Sequence, residues 1–259
     1  MGDLAANVKS WLAAEGYPLE MRTARTLSKT TTSLVSPSQY YTDPDTGKAC
    51  EIDIHAGWGY KIDRKTRIGI SCAIECKSST ESPWVLFLSH KKLSKRALIQ
   101  DRLATSAGAQ WLKELAENHI DEISQLPLFA GDGVHAYGMT TALSQKKDNS
   151  YGALMNAVKA AAHTARIMSE MKHFLVYAIS FPVIVFSGRL FQASLNEQAD
   201  VEVAEITHGR ILTGHPASGK SRAIVDIVTE DQFPQFARDM EVTVQSLFKK
   251  DDRARRLGL

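Results

Sequence analysis

Two stretches of the chain, Cys50-Glu51-Ile52-Asp53-Ile54-His55 and Ile74-Glu75-Cys76-Lys77, set charged groups between apolar ones at every second position. A period of two is the mark of a β-strand with one buried face. In the first stretch Cys50, Ile52, Ile54 and Ala56 fall on one side, and Glu51, Asp53 and His55 on the other. In the second, Ile68, Ile70, Cys72, Ile74 and Cys76 share a side opposite Ser71, Ala73, Glu75 and Lys77. The apolar side fixes the register, because a slip of one residue would bury the charges. Three acids and a lysine are therefore expected to project together from the outer face of two neighbouring strands. Such a group can hold a divalent cation and activate a water.

The rest of the pattern fits an α/β domain. Residues 4 to 28 have helical spacing, interrupted at Gly16-Tyr17-Pro18. An extended stretch from Leu34 to Tyr41 leads through the turn Asp43-Pro44-Asp45-Thr46-Gly47-Lys48 to the Asp53 strand. A second turn at Asp63-Arg64-Lys65 leads to the Glu75 strand, and Trp84 to Leu88 reads as another strand. Helices are expected at Leu93–Leu103, Gly108–Asn118 and Ala153–Met168. Strands are expected at Phe174–Ile179, Val183–Phe186, Leu190–Ser194, Val201–Leu212 and Ala223–Val228, and a last helix from Glu230 to Phe248. With 259 residues the chain reads as one domain, with a core over about 4–115 and a β-rich C-terminal extension over about 170–259.

Composition excludes two classes. At 44% hydrophobic and 23% charged residues the chain is not disordered. The longest apolar run, Phe174 to Phe186, contains Ser180 and Pro182 and falls short of the ~18 residues of a membrane-spanning helix. No basic segment followed by an apolar one opens the chain, so a cytoplasmic protein without a signal peptide is expected. Cys50, Cys72 and Cys76 all lie on expected strands and read as reduced, buried thiols rather than as a zinc site. The net charge of +2 neither requires nor forbids a nucleic-acid partner.

Three acid-x-Lys triplets occur: Asp63-Arg64-Lys65, Glu75-Cys76-Lys77 and Glu170-Met171-Lys172. About one Glu-x-Lys is expected by chance in a chain of this length, so the triplet alone says little. Only the middle one ends an alternating apolar strand and comes after an acid, Asp53, on an expected neighbour. Glu75 and Lys77 would emerge on one face, ~6.6 Å apart at Cα. Two carboxylates can bind Mg²⁺ through oxygen, and a lysine beside them can orient or deprotonate the attacking water of phosphodiester hydrolysis. A surface ion-pair network would use the same residues.

Glu51-Ile52-Asp53, with Glu75-Cys76-Lys77 22 residues later, resembles the PD-(D/E)XK nuclease superfamily, over roughly residues 4 to 115. The order helix, strand, turn, Asp strand, acid-x-Lys strand, helix is also similar. The resemblance implies a restriction-endonuclease-like core, a mixed central sheet flanked by helices, and a Mg²⁺-dependent (endo)deoxyribonuclease for which Mn²⁺ can substitute. Asp53, Glu75 and the main chain of Cys76 would hold the metal and Lys77 would act on the water. Glu20 is similar to a first-helix glutamate that assists metal binding in some members. Ile52 stands where many members have proline, and Ser79 where some subfamilies have glutamine. The implied setting is restriction, phage defence or repair, with DNA as partner. A homodimer, for cutting two strands, and a partner protein of such a system are further expectations.

Lys91, Lys92, Lys95 and Arg96, with Arg102 a little later, form a basic run that could track a phosphate backbone. A solvated helix face would look the same. Gly214-His215-Pro216-Ala217-Ser218-Gly219-Lys220-Ser221 matches the phosphate-loop pattern. The next residues, Ala223 to Val228, are β-branched in character rather than helical, as in a hairpin loop between strands. The leading expectation is thus a metal-dependent nuclease. The alternatives are a catalytically silent nuclease-fold module that binds nucleic acid or a partner protein, and a P-loop nucleotide binder.

Overall fold

The computed structural model describes residues 3–256, apart from 33, 44, 45, 80, 145–147 and 216–219. The chain opens with α1 (Leu4–Glu15), capped by the Asp3 side chain, and α2 (Tyr17–Leu27). Gly16 separates them at φ 86°, a left-handed conformation that costs a side-chain-bearing residue energy. A meander comes next: β1 (Leu34–Thr42), β2 (Ala49–Lys61) and β3 (Thr66–Ser78). Its first turn closes through Gly47 N–H to the Asp43 carbonyl at 2.8 Å; Pro44 and Asp45 of that turn lie outside the described residues. In the second, Asp63 Oδ1 accepts the N–H groups of Lys65 and Thr66.

Then come β4 (Trp84–Leu88), α3 (Lys95–Gln100), β5 (Leu103–Ala104), α4 (Ser106–Asn118), α5 (Ile120–Ile123), β6 (Ala136–Thr141) and α6 (Ser150–Ser169). The last part holds β7 (Leu175–Ser187), β8 (Leu190–Leu195), β9 (Val201–Ile206), β10 (His208–His215), β11 (Lys220–Thr229) and α7 (Phe233–Arg256). Among the described residues, eleven strands join one mixed sheet in the order β1-β2-β3-β7-β11-β10-β6-β4-β8-β9, with β5 paired to β7. No helix among the described residues is long and apolar enough to cross a membrane.

The sheet has a core on each side. Ile68, Ile70, Cys72, Ile74 and Cys76 of β3 pack with α2, α4 and α7. Ala73 of β3, with Ile184 and Phe186 of β7, packs with Ala153, Leu154, Ala157, Val158 and Ala161 of α6. The alternation expected for β3 holds along its length.

Several elements differ from expectation. The helix foreseen over Leu93–Leu103 is only α3, because Arg102 turns into the core and Leu103–Ala104 pair with β7. Phe174–Ile179 and Val183–Phe186 are one strand. Pro182 falls where the neighbour of β7 changes from β5, last paired at Ser180, to β11, first paired at Val183. A residue without an N–H is least costly in such a gap. Val201–Leu212 instead breaks at Thr207 into β9 and β10, which pair with different strands. The short β6 and α5 were not foreseen. The C-terminal half is no appendage: β7 runs parallel to β3 from Thr66↔Leu175 to Ser78↔Ser187, and β11 pairs with its other edge.

Candidate metal centre

The site forms where β2 and β3 part. Their last pair is Ile54↔Ile74, after which β3 continues beside β7 alone. Pairing of β1 with β2 also skips Ser38 opposite Asp53, and Ser38 takes φ 52°. Asp53 itself has no ladder partner on β1 or β3, although β1 pairs with β2 on either side of it, and the faces of β2 exchange across this step. Ile54 and Ala56 face α2 and α4, whereas Ile52 packs with Tyr41 and Ala73 on the α6 side. The expectation that Cys50, Ile52, Ile54 and Ala56 share one face is therefore corrected. The irregularity also separates Cys50, which packs on the α6 side, from Cys72 and Cys76.

Asp53 sits in the fork, and its Oδ2 accepts the main-chain N–H of Cys76 at 2.7 Å. Glu75 lies on the α6 side. Its Oε1 accepts from Lys77 Nζ at 2.7 Å and from Asn156 Nδ2 of α6 at 3.2 Å. The face that carries these groups is not an outer one, since Glu75 is only 4% exposed. Among the described residues these contacts engage Asp53 through Oδ2 and Glu75 through Oε1, and none falls on Asp53 Oδ1 or Glu75 Oε2. Each acid is thus held through one oxygen.

The electrostatics arise from crowding. Burial, and then the charge of Glu75, push the Asp53 carboxyl up to about 7, against the opposing pull of the Cys76 amide and Lys77. Glu20 of α2 is raised by burial and by Glu51, with Lys77 acting in the opposite sense, so it belongs to the same field. Burial alone would lower the Lys77 ammonium; Glu75, through charge and hydrogen bond, and then Asp53 outweigh it and raise the pKa. Lys77 is therefore a firm cation among more acids than it can neutralise. Arg22, two residues beyond Glu20, pairs with Glu230 at the end of β11 and ties α2 to the sheet.

Among the described residues no three His, Cys, Asp or Glu side chains stand close enough to chelate a metal. The acids that do come near each other are Asp53 and Glu75, each adding to the negative charge of the site, with Lys77 between them. That set suits Mg²⁺, which keeps several waters and needs only one or two carboxylates. Net negative charge and two neighbouring carboxylates fit a hard cation. The Cys76 thiol does not: burial drives its pKa far up.

Other candidates fare differently. Glu51 is exposed. His55 is not a polar strand end but a buried imidazole, 7% exposed, lowered in pKa by burial and without a partner on either nitrogen. Lys92, Lys95 and Arg96 turn to Asp132, Asp121 and Glu117 in exposed pairs of 3.1, 3.6 and 3.6 Å, which are weakly bound. Lys91 is exposed. Arg102, counted with that run, is instead fully buried against Asp226. Of the phosphate-loop segment, residues 216–219 lie outside the described residues. Lys220 already belongs to β11, paired with β10, so the segment leads into a strand and not into the helix that a phosphate loop requires. A cleft of about 300 Å³ between β4, β10 and α7 contains neither Asp53 nor Glu75.

Sequence reasoning missed Asn156, which reaches Glu75, and Lys159, whose Nζ lies 2.8 Å from Asp43. Their signal was present: they are the two strongly polar positions in the otherwise apolar run Ala153-Leu154-Met155-Asn156-Ala157-Val158-Lys159-Ala160-Ala161. Comparison of the chain with protein-family models, curated proteins and solved structures finds no match.

Proposed function

We propose that the chain is a Mg²⁺-dependent nuclease that hydrolyses phosphodiester bonds in DNA, built on a PD-(D/E)XK-type core of α2, β1–β3, β7 and α6. One observation carries the reading. Asp53 and Glu75 stand on two strands that separate between them, each held through one carboxylate oxygen.

Asp53, Glu75 and the Cys76 carbonyl would hold the cation, with Glu20 available to a second one. A bound Mg²⁺ would supply a more acidic water and neutralise charge on the phosphate. Lys77 is kept protonated by its acidic neighbours, which suits it to orient the water and to offset negative charge at the phosphate, not to remove a proton. The Cys76 amide holds Asp53, and Lys77 and Asn156 hold Glu75, which limits reorganisation of either carboxylate during the reaction.

The test is cleavage of plasmid and linear DNA with and without Mg²⁺, by wild type and by Lys77→Ala. Metal-dependent cutting that drops by a factor of about 10² or more in the variant is expected, on the scale of losing one transition-state contact. The lack of a third chelating side chain among the described residues favours a second reading, a module that binds nucleic acid without cutting. Equal binding by both proteins and no cleavage by either would support that reading.

A further inference from the structure

Asn156 has no place in the resemblance that led to Asp53 and Glu75; it comes from a helix 81 residues beyond Glu75. It is exposed on α6, yet its amide reaches inward to a carboxylate that is almost wholly buried. Both protein partners of Glu75, Lys77 and Asn156, meet on Oε1. Two donors converging on one oxygen fix the carboxylate plane and leave Oε2 as the oxygen with lone pairs to give.

The residue type matters. A lysine or arginine here would add a positive charge beside Lys77 and compete with a cation for the acids. An amide donates a hydrogen bond and adds no charge, so the surplus of negative charge is kept. The hydrogen bond is part-buried and goes to a carboxylate, but Lys77 still holds Glu75 Oε1 without it, so its loss is expected to lower stability without unfolding the chain.

We propose that Asn156 is a positioning residue which, with Lys77, commits Glu75 Oε1 to the protein and reserves Oε2 for a divalent cation. The inference rests on the metal-dependent reading of this site. Groups that orient a ligand typically matter 10–100-fold for metal affinity or activity.

The test uses Mn²⁺ alone as probe, titrated calorimetrically into wild type, Asn156→Ala and Asn156→Gln, with the melting temperature of each metal-free protein as control. Asn156→Ala is expected to bind Mn²⁺ about 10-fold or more weakly while still unfolding in one cooperative thermal transition without metal, at a melting temperature lowered more than that of Asn156→Gln. Asn156→Gln, which keeps the donor, should recover part of the affinity. Where DNA is cut, kcat should fall in Asn156→Ala while KM stays constant. Wild-type affinity in Asn156→Ala, or a melting temperature lowered equally in both variants, would overturn the proposal while leaving the nuclease reading intact. A wild type that binds no Mn²⁺ would remove the metal-dependent reading, and this proposal with it.

Discussion

Asp226 shows how much a single residue can hold. It is fully buried on β11, and its carboxylate meets Arg102 at 3.1 Å, Arg210 at 2.9 Å and His208 at 2.9 Å. The two guanidiniums also bind main-chain oxygens of residues 127, 128 and 130, so the cluster ties the loop before β6 to β10 and β11. Removing one partner of such a buried set leaves charge uncompensated, typically at 3–5 kcal/mol. Asp226→Ala should therefore lose about that much stability in urea unfolding. Burial alone would raise the Asp226 carboxyl, but Arg210 and Arg102 outweigh it and hold it well below the usual range. A depressed folded pKa gives stability that is present above the unfolded value, about 3.9, and lost as pH falls toward the folded one. The wild-type melting temperature should thus drop below about pH 4, less steeply in Asp226→Ala. At this scale the sequence was legible where alternation held, as along β3, where Glu75 and Lys77 do share a face; it misjudged the side of Ile52, next to Asp53, where the pattern breaks. It was opaque for Asp226, Arg102 and Asn156, whose partners lie across the fold with no local period to mark them.

At the scale of elements, α4 is pressed onto β7 through a residue that has no side chain. A Cβ on Gly108 would come within 2.2 Å of the Ala178 carbonyl oxygen. The preceding Thr105 locks the contact: its hydroxyl donates to Val176 O at 2.6 Å and accepts from the N–H groups of Ala178 and Gly108. Gly108→Ala should push α4 off the sheet and lower stability by about 1–3 kcal/mol. Gly152 on α6, where a Cβ would meet nothing within 4 Å, is the control. Gly152→Ala should be neutral or stabilising by up to about 1 kcal/mol, both measured by chemical denaturation. Long elements were readable here: β3, α4 and α6 lie close to their expected bounds, as does the five-residue β4, whose apolar run is unbroken. Short ones, α5, β5 and β6, were not, because two to six residues show no period, and tertiary pairing decides their state.

For the molecule as a whole, chain order and spatial order diverge. The motif-bearing strands β2 and β3 come early, yet β3 is flanked along all 13 of its residues by β7, from the far half of the chain. That pairing is invisible to local periodicity, which is why the second half read as an extension. A fragment ending at residue 170 would leave β3 as a bare edge and the α2 side without α7. It should show no cooperative thermal transition by circular dichroism, and a folded fragment would contradict the shared core. The proposed function requires a cation in the fork between β2 and β3. A crystal structure determined with Mn²⁺ measures this most directly, through anomalous scattering. Expected is a peak ligated by Asp53 and Glu75 next to the Cys76 carbonyl, absent from Asp53→Asn. An empty fork with Mn²⁺ ordered elsewhere, or a peak that persists unchanged in Asp53→Asn, would contradict it.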